Sequence, residues 1–271
     1  MAGKGIRWLK GCGCTLAVLL VVGVLALVGA SLTMLGPFRE AIEVREQLDL
    51  EFGSQSDYTP AMDGTVLPDD MERFLAVRRE LMGMCVRFEE AYDSLHTMEQ
   101  FDGQDDPPKG EVLKAAFKTA RGAFGLAPVF GDFIQARNQE LMDNGLGLGE
   151  YTYIYSLAYG DRLVDVHTEG DVTRMQVHVS RRLLTLLEEM LRRQLNAAEP
   201  GSAWAGTLED EIRKLERQPG KVPWTDGLPP AIEASLAPYR LELEENYCAA
   251  TVNLELTQNR AVGGGIGITG E

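Results

Sequence analysis

Pro68–Met98 reads PDDMERFLAVRRELMGMCVRFEEAYDSLHTM. Met71, Phe74, Leu75, Leu81, Met82, Cys85, Phe88, Tyr92, Leu95 and Met98 recur at spacings of three and four, the period of one helix face. Asp69, Asp70 and Glu72 follow Pro68. A helix start favours proline for its fixed φ and acids for the macrodipole. The stretch predicts a long amphipathic helix. Similar patterns along the chain set the expected fold class as all-α, an N-terminal single transmembrane helix followed by an irregular helical bundle.

Toward the N-terminus, residues 53–68 (GSQSDYTPAMDGTVLP) have no periodicity and read as loop. Phe38, Ile42, Arg45 and Leu48 fall near helical spacing, which predicts a juxtamembrane helix. Before it, Thr15–Leu35 carries no charge and no Asn, Gln or Pro over 21 residues. At 1.5 Å rise per residue this is about 31 Å of helix, a bilayer's hydrocarbon thickness. Lys4, Arg7 and Lys10 precede it, so positive charge stays inside and the remainder is expected outside. The expected organisation is a cytoplasmic basic tail (1–14), a signal anchor (15–35), a juxtamembrane helix and loop (36–68), an exported helical domain (69–258) and a flexible Gly-rich tail (259–271). A cleaved signal peptide is the rival reading, with Val28-Gly29-Ala30 as its cleavage site. Apolarity continues through Leu32, Met34 and Leu35, which favours the anchor. Cys12 and Cys14 precede the apolar run, which argues against a lipoprotein.

Toward the C-terminus, a helix is expected from Lys109, with Val112, Leu113, Ala116, Phe117 and Ala120 inward. Pro128 with Gly122, Gly125 and Gly131 must kink or break it. The pattern resumes through Phe133, Ile134, Arg137 and Leu141 and stops at Asp143-Asn144-Gly145. A fourth helix is expected over Glu150–Val166, with Tyr151, Tyr155 and Tyr159 in one stripe. A fifth covers Val172–Ala198, and a shorter one Ala203–Arg217. Residues 218–230 read as loop. A last helix spans Ala231–Tyr247, made irregular by Pro238. Val252, Leu254 and Leu256 alternate with polar residues and read as an extended segment.

The chain carries a net charge of −15; without the three inner bases the rest carries −18. That disfavours nucleic acid and anionic lipid surfaces, which need a basic footprint. Cys85 and Cys248 are the two exported cysteines and the candidates for one disulfide, the alternative being two buried thiols. Palmitoylation is the sharper reading of Cys12 and Cys14, a helix-start role the plainer one.

No chemical motif meets its structural requirement. Gly265-x-Gly267-x-x-Gly270 spells a dinucleotide fingerprint, but the single residue after it is too short for the helix that would hold a pyrophosphate. Glu89, Asp93 and His96 share a helix face, yet a di-iron bundle needs a second Glu-x-x-His half-site and none occurs. Asp161, Asp165, His167, Glu169 and Asp171 read as a solvated helix end. Arg174, Arg181 and Arg192 read as one charged helix face balanced by Glu188. No G-x-S-x-G or C-x-x-C occurs. No catalytic residue, cofactor or metal ligand is expected.

One site candidate remains. Phe124, Pro128 and Phe130 in the kinked run, with Tyr151, Tyr155 and Tyr159, would line a groove for a ligand or partner. A core corner and packed tyrosines are the favoured reading of the same residues. The expected function is a membrane-anchored, periplasmic interaction or assembly module of the cell inner membrane. Its N-terminus would be cytoplasmic and its partner another envelope protein. The alternatives are a binding module for a small apolar or lipid-like ligand and, third, an enzyme.

Overall fold

The computed structural model describes residues 40–96, 129–169, 172–177, 180–218 and 220–256. The segment 15–35, the helix expected from Lys109, Phe124, Pro128 and the tail 259–271 lie outside them. Among the described residues, no helix is long and apolar enough to cross a membrane.

The fold is helical. Residues 40–52 form α1, which buries Ala41, Arg45 and Leu48. Helix α2 runs Pro68–His96, with Asp69 and Asp70 in its first turn. It buries Met71, Phe74, Leu75, Leu81, Cys85 and Phe88 from the expected stripe. Residues 129–143 form α3, which ends at Asn144 and Gly145, the latter at φ 65°. Helix α4, Leu148–Tyr159, is buried at every residue except Glu150. A helix apolar all round sits at the centre of a bundle, and α4 does. Phe74 of α2 packs on Tyr151, Tyr155 and Tyr159 with ring centroids 5.1, 6.5 and 6.5 Å apart.

A 3-10 turn, Gly160–Leu163, leads from α4 into β1 (Val164–Glu169), which pairs antiparallel with β2 (Val172–Val177). Glu169 pairs with Val172 at one end of the ladder and Val164 with Val177 at the other. This hairpin corrects three expectations. The fourth helix stops at Tyr159 rather than Val166, Val172–Val177 is strand rather than helix, and Asp165 and His167 lie on a strand rather than a helix end. Arg174 therefore shares no helix face with Arg181 and Arg192. The physical reason is visible in VDVHTE, where Val164, Val166 and Thr168 alternate with polar residues at period two, as a half-buried strand does.

Helices α5 (Arg181–Ala197) and α6 (Ala203–Arg217) form the second helical layer and pack on each other. Ser180 and Ser202 cap them, accepting from Leu183 and Ala205 backbone N–H groups at 3.3 and 3.1 Å. Each cap satisfies an orphan donor and is worth about 1 kcal/mol. Leu183, Leu186, Leu187, Met190 and Leu191 face Ala205, Leu208, Ile212 and Leu215 inside the core. Pro238 splits the last expected helix into α7 (Pro230–Leu236), a 3-10 turn (Ala237–Tyr239) and α8 (Arg240–Glu245). Val252–Glu255 is a short helix, α9, not the extended segment that alternation suggested.

The loop 53–67 is fastened across this core. Gln55 donates to Thr152 at 2.6 Å, Gln194 to the Ala61 carbonyl at 2.8 Å and Tyr153 to the Gly64 carbonyl at 2.8 Å. Gly64, at φ 74°, lies where a Cβ would come within 2.8 Å of Trp204 and 2.9 Å of Ile232, so only glycine fits.

Candidate functional site

The most unusual chemistry of the described core is a buried charge network behind α4. Arg78 projects from the inward face of α2 and pairs with Glu255 of α9; neither side chain is exposed. Tyr151 donates its hydroxyl proton to Glu255 Oε2 at 2.6 Å, and Thr251 donates to Oε1 at 2.8 Å. Arg78 also donates Nε and Nη2 to the Asn246 carbonyl at 3.0 and 2.6 Å. Its guanidinium lies 5.4 and 5.8 Å from the ring centres of Tyr155 and Tyr159. A second buried cation, Arg137 of α3, donates Nη1 to the Leu254 and Glu255 carbonyls at 2.7 and 2.8 Å. Arg137 also donates to Asn138 Oδ1 at 2.9 Å, and Asn138 donates to the Ala41 carbonyl of α1 at 3.3 Å.

The electrostatics follow from burial. Desolvation pulls the Arg78 guanidinium down, but the adjacent Glu255 carboxylate and the tyrosines push it well above its ordinary value. Burial lowers the Arg137 guanidinium to about 10, with the Glu255 carboxylate opposing. Burial likewise raises Tyr151, Tyr155 and Tyr159, the last to about 12. All three tyrosines are thus neutral near neutral pH, and Tyr151 and Tyr159 donate, to Glu255 and to the Leu243 carbonyl.

Cys85 of α2 and Cys248 form a disulfide with Cα atoms 5.9 Å apart. Two ties, one covalent and one ionic, fix the segment 246–256 to α2. The network has the ingredients of an active site, but Arg78, Tyr151 and Glu255 are sealed from solvent and spent on one another. Its chemistry is that of a clasp. A buried ion pair adds little net stability over apolar packing, yet losing one partner is costly, so it favours one arrangement over its competitors.

Sequence reasoning missed this network, and a signal existed. Arg78 and Arg137 occupy inward phases of apolar stripes, where a charge needs a buried partner. The tyrosine stripe, for which core packing is the favoured reading and a groove the sharper one, is packed: Tyr151, Tyr155 and Tyr159 are each at most 2% exposed. Phe130 packs edge-on against Phe88 at 5.5 Å.

Two concavities open elsewhere. One of about 590 Å³ lies between α5 and the end of α6, lined by Arg181, Leu184, Glu188, Leu215, Glu216 and Lys221. The other, about 180 Å³, lies beside Trp224, whose φ of 63° is uncommon outside glycine. Its backbone N–H donates to the buried Glu211 carboxylate at 2.8 Å, and its ring stacks 6.1 Å from Trp204. Among the described residues, no group of three His, Cys, Asp or Glu could hold a metal ion. The side chains of Asp93, His96 and His167 lie outside the described set.

The chain matches no protein-family model, no curated protein and no solved structure.

Proposed function

We propose that this chain is a membrane-tethered, extracytoplasmic helical module that engages another protein of the cell envelope. The observation that carries the reading is the Cys85–Cys248 disulfide. Disulfides persist in oxidising compartments and are rare in reducing cytosol. The bridge agrees with the outward address that Thr15–Leu35 and the inner basic residues imply. The clasp makes the domain a preorganised platform, which lowers the ordering cost of binding. Leu50, Met62 and Leu67, exposed by 87%, 65% and 60%, are apolar side chains at the membrane-proximal end of the sequence and form the proposed contact. A tether confines such a face to a thin layer and raises its effective concentration toward neighbours there, so a modest interface suffices.

The test is site-specific photocrosslinking in cells, with the probe at Leu50 or Met62 and a control probe at exposed Glu209 of α6. The reading expects a discrete adduct from Leu50 and Met62 only, weakened when residues 1–35 are exchanged for a cleaved export signal. Equal labelling from Glu209, or adducts indifferent to the exchange, would contradict it.

A further inference from the structure

The larger concavity, about 590 Å³, has the volume of a small-molecule site. Arg181, Leu184, Thr185 and Glu188 line it from one face of α5, over two turns. Leu215 and Glu216 at the end of α6, with Gly220 and Lys221 just beyond, form the opposite wall. A short connection joins the two helices, so α6 runs back along α5 and Glu216 comes within 2.8 Å of Arg192. The start of α5 therefore lies toward Gly220 and Lys221, and Glu188 toward Glu216.

The two ends of the cleft carry opposite charge. At one end Arg192 serves two carboxylates, donating to Glu188 Oε1 at 2.7 and 3.0 Å and to Glu216 Oε1 at 2.8 Å. One guanidinium against two acids leaves an excess negative charge, and the Oε2 atom of each acid accepts no hydrogen bond among the described residues. At the other end Lys221 pairs with Asp226 at 2.6 Å, and Arg181 has no acid partner among the described residues. Lys214 also approaches Asp226, at 3.8 Å, but is balanced by Glu211 at 3.2 Å. This end therefore carries an excess positive charge. Lys221 spends one of its three ammonium donors on Asp226.

Arg181 and Glu188 stand about 10 Å apart along the helix axis. Between the ends the lining is apolar, with Leu215 buried and Leu184 half-buried. The Thr185 hydroxyl donates to the Arg181 carbonyl at 3.1 Å and keeps its acceptor lone pairs.

We propose that this cleft binds a short free peptide of about three residues, its ammonium at Glu188 and Glu216 and its carboxylate at Arg181 and Lys221. An extended chain spans about 3.3–3.6 Å per residue, so the charged termini of a tripeptide stand about 10 Å apart, the separation of the two ends. A simple anion leaves the acidic end unused, and a simple amine leaves the basic end unused. A zwitterion of this length uses both. Leu184 and Leu215 offer its middle side chain an apolar floor, and Thr185 offers an acceptor to an amide N–H.

Methyl NMR of the leucine-labelled full chain in detergent micelles tests this, with the free tripeptide Ala-Leu-Ala as probe. The Leu184 and Leu215 methyl signals are expected to shift in a saturable titration. The N-acetylated and C-amidated tripeptides each bind about three- to fivefold more weakly, the worth of one exposed ion pair. A free dipeptide, about 7 Å long, reaches one end at a time and binds no tighter than the blocked tripeptides. Arg181→Gln breaks no ion pair of the folded chain; it removes the penalty for amidation and keeps that for acetylation. Glu216→Gln leaves the Glu188–Arg192 pair in place and weakens the penalty for acetylation alone. No saturable shift at Leu184 and Leu215, equal binding of the free and blocked tripeptides, or an amidation penalty that survives Arg181→Gln would overturn the proposal. Any of these results would leave the tethered-module reading standing, because the cleft does not depend on it.

Discussion

Arg78 and Glu255, 177 residues apart in sequence, form an ion pair with no exposed side-chain surface on either partner. Around it, α1, α2, α3, α4 and the segment 246–256 are joined by hydrogen bonds through Asn138, Arg137, Tyr151 and Asn246. The C-terminal segment is therefore an integral wall of the core.

Replacing Arg78 by methionine removes the guanidinium paired with the buried Glu255 carboxylate, which keeps the Tyr151 and Thr251 hydroxyls. A loss of about 3–5 kcal/mol in denaturant unfolding is expected. Combining Arg78→Met with Glu255→Leu removes both charges and should recover most of that loss. A double variant as unstable as the sum of the singles would show that the pair is not the coupled unit described.

Replacing Cys85 and Cys248 together by alanine frees a loop closed across 163 residues. The expected cost is about 2–5 kcal/mol in the chain-entropy account. The two ties hold the same segment, so their losses should not add. Limited proteolysis should cut within 246–256 faster in the cysteine variant, and faster again when Arg78→Met is added.

Two glycines give opposite signs. Gly149→Ala should destabilise by about 1–3 kcal/mol, because its methyl group meets Tyr58 and Gln55 with no room to relax. Gly83, inside α2 with nothing within 4 Å of a built Cβ, should gain about 0.5–1 kcal/mol on replacement by alanine. Thermal unfolding of both variants against the parent checks the signs.

The helical architecture was legible where one period ran long. The α2 stripe and the Ala203–Arg217 helix were readable because their apolar faces repeat for four turns or more. The hairpin was not read, because Leu163-Val164 continues the phase of α4 and masks the switch to period two. Val252–Glu255 reads as alternation because a four-residue helix is too short to show its own period. The clasp escaped for a different reason. Periodicity finds apolar residues, whereas Arg78, Arg137 and Glu255 sit at core positions as charges whose partners lie far away in sequence. The tyrosine stripe carried the right phase, but phase does not distinguish a groove wall from a packed core.

The central claim, a tethered domain folded in an oxidising compartment, is tested most directly by counting thiols. Cells are quenched in acid and separated into membrane and soluble fractions. The unreduced, denatured chain is then labelled with a maleimide and weighed by mass spectrometry. Of the four cysteines, the account predicts two labelled thiols, Cys12 and Cys14, in a chain confined to the membrane fraction, with Cys85 and Cys248 protected. A soluble chain with all four thiols labelled would contradict it.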